Sequence, residues 1–373
     1  MKEDLIMKIV CSKSDLIEAV SVVSRVVKGS INLPILTNIL IDASGEKVIL
    51  RGYDMETGIE CSVEGVDIQE NGRVAVSAKM LGDISKKMSE DTLTLVTEDN
   101  SLVVRSGKSK MKMSCSSAED FPLFPTVDDP QSVTIKSNLL KNAFSKVLFA
   151  VSKDNTRAVL TGVYLRCKDG ILKAVAIDGF RMAIINAPVE NSYDFGVIIP
   201  AKTVSEILRL IGSDDESDTL ITLGKTQAYF DVNGIKVVSR MISGNYIDYE
   251  KIIVRSCKTK LTVGVGDFYD AIDRACLVAN SESTRLPATV TIKDGGMTID
   301  CSGSSSSTQD IINDIEVVGD DVSVDLNAFY LNDVLRNIDD DSVNVEFSGE
   351  SGPIIFKPLE NEDYLYLVLP IRR

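Results

Sequence analysis

The sequence predicts an α+β protein of three similar domains, each with two helices packed on antiparallel β-sheet. Three observations lead to this prediction. A helix followed by an acidic loop and a strand occurs three times, and a second amphipathic helix also occurs three times. The runs between these helices are rich in β-branched residues and are split by glycine and aspartate, as short strands are. One domain pattern therefore accounts for most of the chain.

The first repeated helix is identified by the spacing of its apolar residues. When Asp83, Glu206 and Asp333 are aligned, the apolar positions follow the i, i+3, i+4, i+7 spacing of one buried stripe, with Ser85 as the single exception. Each copy also carries a cation that is rotated about 200° from the stripe and so points away from the sheet. The stripes are Leu81, Ile84, Ser85 and Met88, then Val204, Ile207, Leu208 and Ile211, then Leu331, Val334, Leu335 and Ile338, and the cations are Lys86, Arg209 and Arg336.

The spacing of the copies sets the number of domains. They recur about once per third of the 373 residues, far apart compared with the roughly 20 to 50 residues of solenoid repeats. The second repeated helix starts near Lys13, Lys136 and Gly266, each with a serine or aspartate available as a cap. We predict helices at 12–28, 76–88, 136–153, 198–211, 266–285 and 323–338, and domains at 1–127, 128–253 and 254–373, with the proline-containing segment 120–132 as the first boundary.

The strands of the middle third are the clearest. Residues 158–189 alternate well enough for three strands, joined by hairpin turns at Asp169-Gly170 and Asp178-Gly179. The run 364–371 is apolar on both faces, which predicts a strand that is buried or covered by a partner.

One fragment resembles a phosphate-binding loop but is better explained as a turn. Gly107-Lys108-Ser109 has the end of a Walker A sequence, yet Leu102 stands where the motif requires glycine. A hairpin turn between two strands fits these residues better.

Composition argues against an enzyme, a metalloprotein and a membrane protein. Histidine is absent, which removes the commonest general base and metal ligand. Seven cysteines occur without a CxxC pair, as expected for thiols in a reducing compartment. The acidic loops at 214–216 and 339–341 lack calcium-loop spacing and read as solvated turns. With 44% hydrophobic residues, no apolar run of about 18 and no signal-peptide pattern at the start, we expect a cytoplasmic protein without catalytic residues, metals or cofactors.

Charge is unevenly distributed along the chain. The net charge of −15 argues against a nucleic-acid partner, but the six predicted helices hold 15 basic and 10 acidic residues, and the remainder holds 25 basic and 45 acidic residues. Helices on one shared surface would form a mildly basic face, although those of the third copy are net acidic. Amphipathic helices also present lysines to solvent without binding DNA, so charge alone leaves this question open.

Several motifs resemble one known family. LPIL from Leu33, SAKMLGDI from Ser77, VRSGKSKMKMS followed by EDFP, AIDGFRMA from Ala176 and YLVLPIRR from Tyr366 are similar, in this order, to the bacterial DNA polymerase III beta subunits, the sliding clamps. The resemblance covers residues 7–373. It implies the DNA clamp fold, closed as a head-to-tail homodimeric ring around double-stranded DNA. It also implies a non-catalytic part of the DNA-directed DNA polymerase assembly. The partners would be the clamp loader, the replicative DNA polymerase, and repair and other proteins that carry a short clamp-binding peptide.

The resemblance also implies a DNA-facing set of side chains. A ring holds DNA topologically, so its inner helices need only weak, sequence-independent attraction to phosphates. Ser30 stands where many members of the family have arginine. The implied residues are Arg25, Lys28, Lys79, Lys86, Lys87, Lys141, Lys146, Lys153, Lys202, Arg209, Arg274, Asn327, Tyr330 and Arg336.

A second implied site is a pocket for a short linear peptide. Apolar walls with a cationic rim suit a peptide with apolar anchors, although the same residues could be ordinary core strands. The family commonly has threonine, histidine and proline where this chain has Ile177, Phe180 and Ile247, so we expect binding with a shifted motif preference. The implied residues are Leu160, Ile177, Gly179, Phe180, Arg181, Met182, Ile247, Lys251, Ile252, Leu367, Val368, Leu369, Pro370, Ile371 and Arg372.

The implied subunit interface pairs Met111 and Met113 of one chain with Leu277 and Val278 of the other. An exposed strand carrying methionines is an aggregation hazard unless another edge covers it, and a doubled head-to-tail contact would do so. By pattern alone, the methionines could equally face the core of their own domain. Two other classes of protein stay open: an enzyme with a site between domains, and a three-domain interaction scaffold that is monomeric and does not encircle DNA.

Overall fold

The described residues form two compact units. A computed structural model of the chain describes residues 7–27, 33–190, 193–213, 215–254, 256–280 and 286–371. The first unit is formed by the described residues of the ranges 1–138 and 205–241, and the second by those of 139–204 and 242–373. Four residues singled out from the sequence lie outside the described residues: Lys28, Ser30, Asp214 and Arg372.

Within these described ranges the chain forms six α-helices and 26 strands. The helices are α1 (Lys13–Ser24), α2 (Ala78–Lys87), α3 (Ser137–Leu148), α4 (Ala201–Leu210), α5 (Val265–Asn280) and α6 (Ala328–Leu335). The strands are β1 (Lys8–Ser12), β2 (Asn38–Asp42), β3 (Val48–Tyr53), β4 (Thr57–Val63), β5 (Asp67–Glu70), β6 (Arg73–Ser77), β7 (Thr92–Glu98), β8 (Ser101–Ser106), β9 (Ser109–Ser116), β10 (Gln131–Lys136), β11 (Gly162–Lys168), β12 (Ile171–Ile177), β13 (Arg181–Pro188), β14 (Phe195–Pro200), β15 (Asp218–Leu223), β16 (Gln227–Val232), β17 (Ile235–Arg240), β18 (Thr259–Gly264), β19 (Pro287–Lys293), β20 (Gly296–Ser302), β21 (Ser307–Ile312), β22 (Ile315–Gly319), β23 (Val322–Asn327), β24 (Ser342–Phe347), β25 (Ile354–Lys357) and β26 (Tyr364–Val368). Four 3₁₀ helices lie at Pro34–Thr37, Ala118–Asp120, Asn155–Thr161 and Tyr249–Lys251.

The first unit is built on one antiparallel sheet. Its described strands run in the order β10-β15-β16-β17-β4-β3-β2-β6-β9-β8-β7-β1-β5. Helix α1 packs on α2 and on strands β3 and β4. Gly52 of β3 allows this close approach, because a Cβ atom there would lie 2.3 Å from the carbonyl oxygen of Val23 in α1. The loop Gly107-Lys108 joins β8 to β9, so the interpretation of this fragment as a hairpin turn is confirmed.

The second unit contains two antiparallel sheets. Among the described residues, one sheet runs β14-β11-β12-β13-β26-β25-β24-β18-β22 and the other β21-β20-β19-β23. The predicted hairpins are present, and Asp169 and Gly170 both have positive φ, as a tight turn between β11 and β12 requires. Strand β26 lies between β13 and β25. Its two faces are also covered, because Tyr366 packs against Phe149 and Leu367 belongs to an apolar cluster on the other face, as the apolar run predicts.

The repeated helical stripes are buried as predicted. Leu208 is the half-buried member, and the other stripe residues are covered. Ser85 fits an apolar position because its hydroxyl donates a hydrogen bond to the carbonyl oxygen of Leu81 at 2.8 Å. The three cations placed opposite the stripes are exposed: Lys86, Arg209 and Arg336.

The start of α6 and the end of α3 differ from the predicted bounds. Helix α6 begins at Ala328 rather than 323, because residues 322–327 alternate between the two faces of β23. Asn327 then caps the helix by accepting a hydrogen bond from the Phe329 amide at 3.0 Å. Helix α3 ends at Leu148 rather than 153. The carbonyl of Phe149 consequently bonds outside the helix, to Arg181.

Candidate functional site

A cavity of about 570 Å³ lies within the second unit. The segment after α3, residues 151–157, forms one side. The turn between β12 and β13, residues 178–181, forms another side, and Tyr330 of α6 completes the lining. Leu160 lies at the base and is almost completely buried. The structure therefore brings together residues that are up to about half the chain apart.

Below the cavity lies an apolar cluster that contains five of the fifteen predicted pocket residues. Its buried members include Leu160, Ile177, Met182 and Leu367, and Ile247 packs against them. Tyr249 belongs to the same cluster, and burial raises the pKa of its hydroxyl. An apolar base of this kind suits the anchor side chain of a bound peptide.

The turn between β12 and β13 is fixed by one carboxylate. Oδ1 of Asp178 accepts hydrogen bonds from the amides of Phe180 and Arg181, both at 2.9 Å. Gly179 has φ of +91°, a conformation that favours glycine. The amide of Leu369 donates a hydrogen bond to the Phe180 carbonyl at 2.8 Å. The backbone of Phe180 is thus held on both sides, while its ring stays 54% exposed.

Phe180 and Tyr330 form an aromatic wall on the cavity. Their ring centroids are 6.1 Å apart and the rings are inclined by 30°, which is an offset stack. The guanidinium carbon of Arg181 lies 4.5 Å from the centroid of the Tyr330 ring. The family resemblance implies that Tyr330 faces DNA, whereas in the structure it lines this cavity.

The remaining predicted pocket residues differ in accessibility. Val368 is fully buried and is not available to a ligand. Lys251 is exposed, and the pKa of its ammonium is raised by the hydrogen bond to Asp248 at 2.5 Å. Ile252 and Leu369 are partly exposed, and Pro370 and Ile371, which follow Leu369, are half-buried.

The cationic rim is not where the sequence suggested. Arg181 is only 9% exposed and lies behind the wall rather than on the rim. The exposed cations at the cavity are Lys153 and Arg157. Arg157 was missed, although it lies in the same 3₁₀ segment as Leu160, three residues earlier. That proximity was the one signal in the sequence that could have identified it.

The predicted DNA-facing cations fall into two groups. Lys79, Lys86 and Lys87 are exposed on α2, and among the described residues none of them forms an ion pair. Other cations are neutralised locally. Lys146 lies 2.6 Å from Asp339, Arg209 lies 2.7 Å from Glu206, and Arg274 lies 2.7 Å from Asp310.

The rest of the DNA-facing set shows varied exposure. Arg25, Lys141 and Lys202 are half-buried, Arg336 is exposed, and Asn327 is occupied as the helix cap. The three lysines of α2 are therefore the clearest candidates for contact with phosphates.

The predicted interface residues lie on strand β9 and on helix α5, which packs on strand β21. Within the described residues, positions 109–114 of β9 pair only with β8, and β21 pairs only with β20. Met111 is 43% exposed on β9, whereas Met113 faces the core of its own unit. On α5, Leu277 is 72% exposed and Val278 is buried. Ile311 on β21 is also exposed and was missed, because an edge strand cannot be recognised without the sheet order.

The charges at these two edges have opposite signs. Lys108, Lys110 and Lys112 are exposed on or beside the β9 edge. A cavity of about 290 Å³ between α5 and β21 is lined by Asp267, Asp270, Asp310, Asp314 and Arg274. The hydrogen bond from Arg274 lowers the pKa of Asp310, which stays ionised.

The part of the chain that the structure describes contains neither a cluster of metal ligands nor a helix that could span a membrane. No group of three or more cysteine, aspartate or glutamate side chains could hold a metal ion. No helix in these ranges is long and apolar enough to cross a membrane.

Comparison with known proteins covers almost the whole chain. Three family models of the DNA polymerase III beta subunit match in succession: the N-terminal domain at residues 7–125, the central domain at 134–248 and the C-terminal domain at 250–372. The beta sliding clamp of Staphylococcus epidermidis is 34% identical over 352 residues, which are 91% of this chain and 92% of that protein.

Solved structures agree with this match. The DNA polymerase sliding clamp of Bacillus subtilis has a TM-score of 0.94 at 27% identity, covering 98% of this chain and 99% of the other. The DNA polymerase III beta chain of Streptococcus pneumoniae has a TM-score of 0.93 at 25% identity, covering 98% and 100%. Three successive α+β domains of this kind define a protein of the DNA clamp class. The chain belongs to the DNA polymerase III beta subunit family.

Proposed function

We propose that this protein is a sliding clamp, which encircles duplex DNA and tethers the replicative DNA polymerase and other replication and repair proteins. The observation that carries the proposal is the succession of three family domains over nearly the whole chain. The family is a non-catalytic processivity factor, so the enzyme interpretation is set aside. We retain the domain division at 1–127, 128–253 and 254–373, and a cytoplasmic location, as parts of the proposal.

The ring would close by a head-to-tail contact between two copies. The free edge of β9 in one copy would pair with the free edge of β21 in the other, and a two-fold axis would repeat the contact. Met111 would then meet Leu277 and Ile311, which are the exposed apolar side chains at these edges. The lysines beside β9 would face the aspartates beside β21, and such charge complementarity guides correct docking.

Contact with DNA would be electrostatic and independent of sequence. Exposed lysines on a helix face attract phosphates without reading bases. Lys79, Lys86 and Lys87 meet this requirement, because all three are exposed on one helix. A weak attraction of this kind lets a ring slide along DNA, whereas tight binding would hold it in place.

The cavity of the second unit would receive the short peptide through which partners attach. Its apolar base and aromatic wall would bind the anchor side chains of the peptide, and Lys153 and Arg157 would face its polar residues. The clamp loader, the polymerase and repair proteins would use this one pocket in turn.

The contact with DNA can be tested by reversing charges on α2. The test variant has Lys79, Lys86 and Lys87 all changed to glutamate. The logarithm of the DNA association constant decreases linearly with the logarithm of the salt concentration, and we expect this dependence to become less steep by about 2 to 3, since each lost phosphate contact removes about 0.9 from the slope. The measurement is the fluorescence anisotropy of a short labelled duplex at several salt concentrations.

A matched variant controls for net charge. Lys168 and Lys293 are exposed at strand ends and Lys225 is exposed in the turn between β15 and β16, and changing all three to glutamate alters the net charge equally. This variant should keep the wild-type slope. Equal slopes for both triple variants would mean that α2 does not face the DNA.

A further inference from the structure

The Arg181 side chain donates three hydrogen bonds at the cavity. Its Nε donates a hydrogen bond to Oδ2 of Asp178 at 2.9 Å, and its two terminal nitrogens donate to Oδ2 of Asp333 at 2.5 Å and to the carbonyl of Phe149 at 2.7 Å. Its guanidinium carbon lies 5.2 Å from the ring centroid of Phe149 and 4.5 Å from that of Tyr330. One side chain therefore joins the turn, the residue that follows α3 and the second half of α6.

The same turn occurs in the first unit at residues 54–57, which shows that the turn does not require an arginine. Oδ1 of Asp54 accepts hydrogen bonds from the amides of Glu56 and Thr57 at 3.1 and 2.7 Å. The Asp54 amide donates to the Thr57 carbonyl at 3.1 Å, as the Asp178 amide does to the Arg181 carbonyl at 3.2 Å. The repeated turn thus forms with threonine in the place of arginine. An aspartate is sufficient to make this turn.

We infer that Arg181 is a positioning residue for ligand binding, which holds the aromatic wall of Phe180 and Tyr330 in its binding conformation. This inference rests on the proposed function, because it assumes that the cavity receives a peptide. The guanidinium fixes Tyr330 by stacking on one face and by anchoring Asp333, which lies three residues further along α6. Tyr330 in turn supports the exposed ring of Phe180.

The geometry of the guanidinium matters more here than its charge. Three N–H groups point to three different acceptors while the flat face packs on two rings, an arrangement that only a planar fork can satisfy. A lysine would keep the charge but could not reach all three acceptors or stack. The wall would then sample other positions before binding, and ordering it would reduce the affinity.

Binding of a synthetic peptide tests the inference. The probe is a fluorescein-labelled eight-residue peptide with one leucine and a terminal phenylalanine among polar residues, and its control has alanine at both anchors. We expect Arg181→Lys and Arg181→Thr to weaken binding of the probe by about 10-fold or more, because both variants lose the guanidinium that stacks on the rings and donates the three hydrogen bonds. Asp333→Asn removes only one of the three acceptors of Arg181, and Asp333 is partly exposed, so this variant should bind the probe about 3-fold more weakly than the wild type.

A double-mutant cycle separates positioning from general stability. If Arg181 acts through the wall, Arg181→Lys should cost less than about 3-fold when Tyr330 has already been changed to leucine, since coupled changes are not additive. Additive losses, or wild-type affinity in Arg181→Lys, would overturn the inference. If Arg181→Lys does not fold, the same double-mutant cycle can be measured with Asp333→Asn in place of Arg181→Lys, combined with Tyr330→Leu. Failure of the wild-type protein to prefer the probe over the alanine control would instead contradict the proposed pocket.

Discussion

Changing Leu277 to aspartate is expected to convert the proposed dimer into monomers. Leu277 is 72% exposed on α5 beside the free edge of β21. In the head-to-tail contact its side chain would be buried, which contributes about 1.5 to 3 kcal/mol, and an unpaired buried carboxylate would cost several kcal/mol more. The two-fold axis repeats this loss, so we expect the dimer dissociation constant to rise at least about 1,000-fold. The measurement is sedimentation equilibrium over a range of protein concentrations.

Val318 offers a matched control for this change. It is 74% exposed on β22, the edge of the other sheet of the second unit, and so differs little from Leu277 in exposure. Val318→Asp should leave the dimer intact. Dissociation of both variants, or of neither, would contradict the assignment of the contact to β21 and α5.

Changing Phe180 to aspartate is expected to weaken peptide binding at least about 30-fold while the dimer persists. The ring is 54% exposed, so its loss should have little effect on folding. Within the complex it would be an aromatic anchor point, and truncation at such positions typically costs 2 kcal/mol or more, roughly a 30-fold loss of affinity. The new carboxylate would add a desolvation cost. Fluorescence anisotropy with a labelled peptide that carries leucine and phenylalanine anchors measures the effect.

Ile171 is the control for this second change. It is a partly exposed apolar residue at the start of β12, and the other end of the same strand, Ile177, reaches the cluster below the cavity. Ile171→Asp should retain the affinity of the wild type. If the two variants bind the peptide equally well, the peptide does not use the aromatic wall.

The sequence was sufficient for features that depend on local periodicity. The three helical stripes, the hairpin at Asp169-Gly170 and the central position of β26 all follow from spacing and turn chemistry. The burial of Ser85 was also partly predictable, because this residue lies in an otherwise apolar stripe and its hydroxyl forms a hydrogen bond within the helix. Such features need no information from distant parts of the chain.

Features that depend on tertiary contacts could not be predicted. Arg181 reads as a surface cation in the sequence, and only the positions of Asp333 and Phe149 show that it is buried and bonded. Met111 and Met113 are two residues apart on one strand, so the sequence does not distinguish them. Only the surrounding sheet shows that Met111 is exposed and Met113 is covered. The family resemblance names four of the residues that line the cavity, Leu160, Gly179, Phe180 and Arg181, whereas Arg157 emerged only from the geometry of the cavity.

The most direct test of the clamp proposal compares retention on circular and linear DNA. The protein is loaded onto nicked circular duplex, its mass having been confirmed by light scattering as twice the 40.6 kDa of one chain. Half of the sample is then linearised with a restriction enzyme. We predict that the protein stays on the circles and is lost from the linear molecules through their ends. Equal retention on both forms, or a monomeric mass, would contradict topological binding and favour a scaffold that does not encircle DNA.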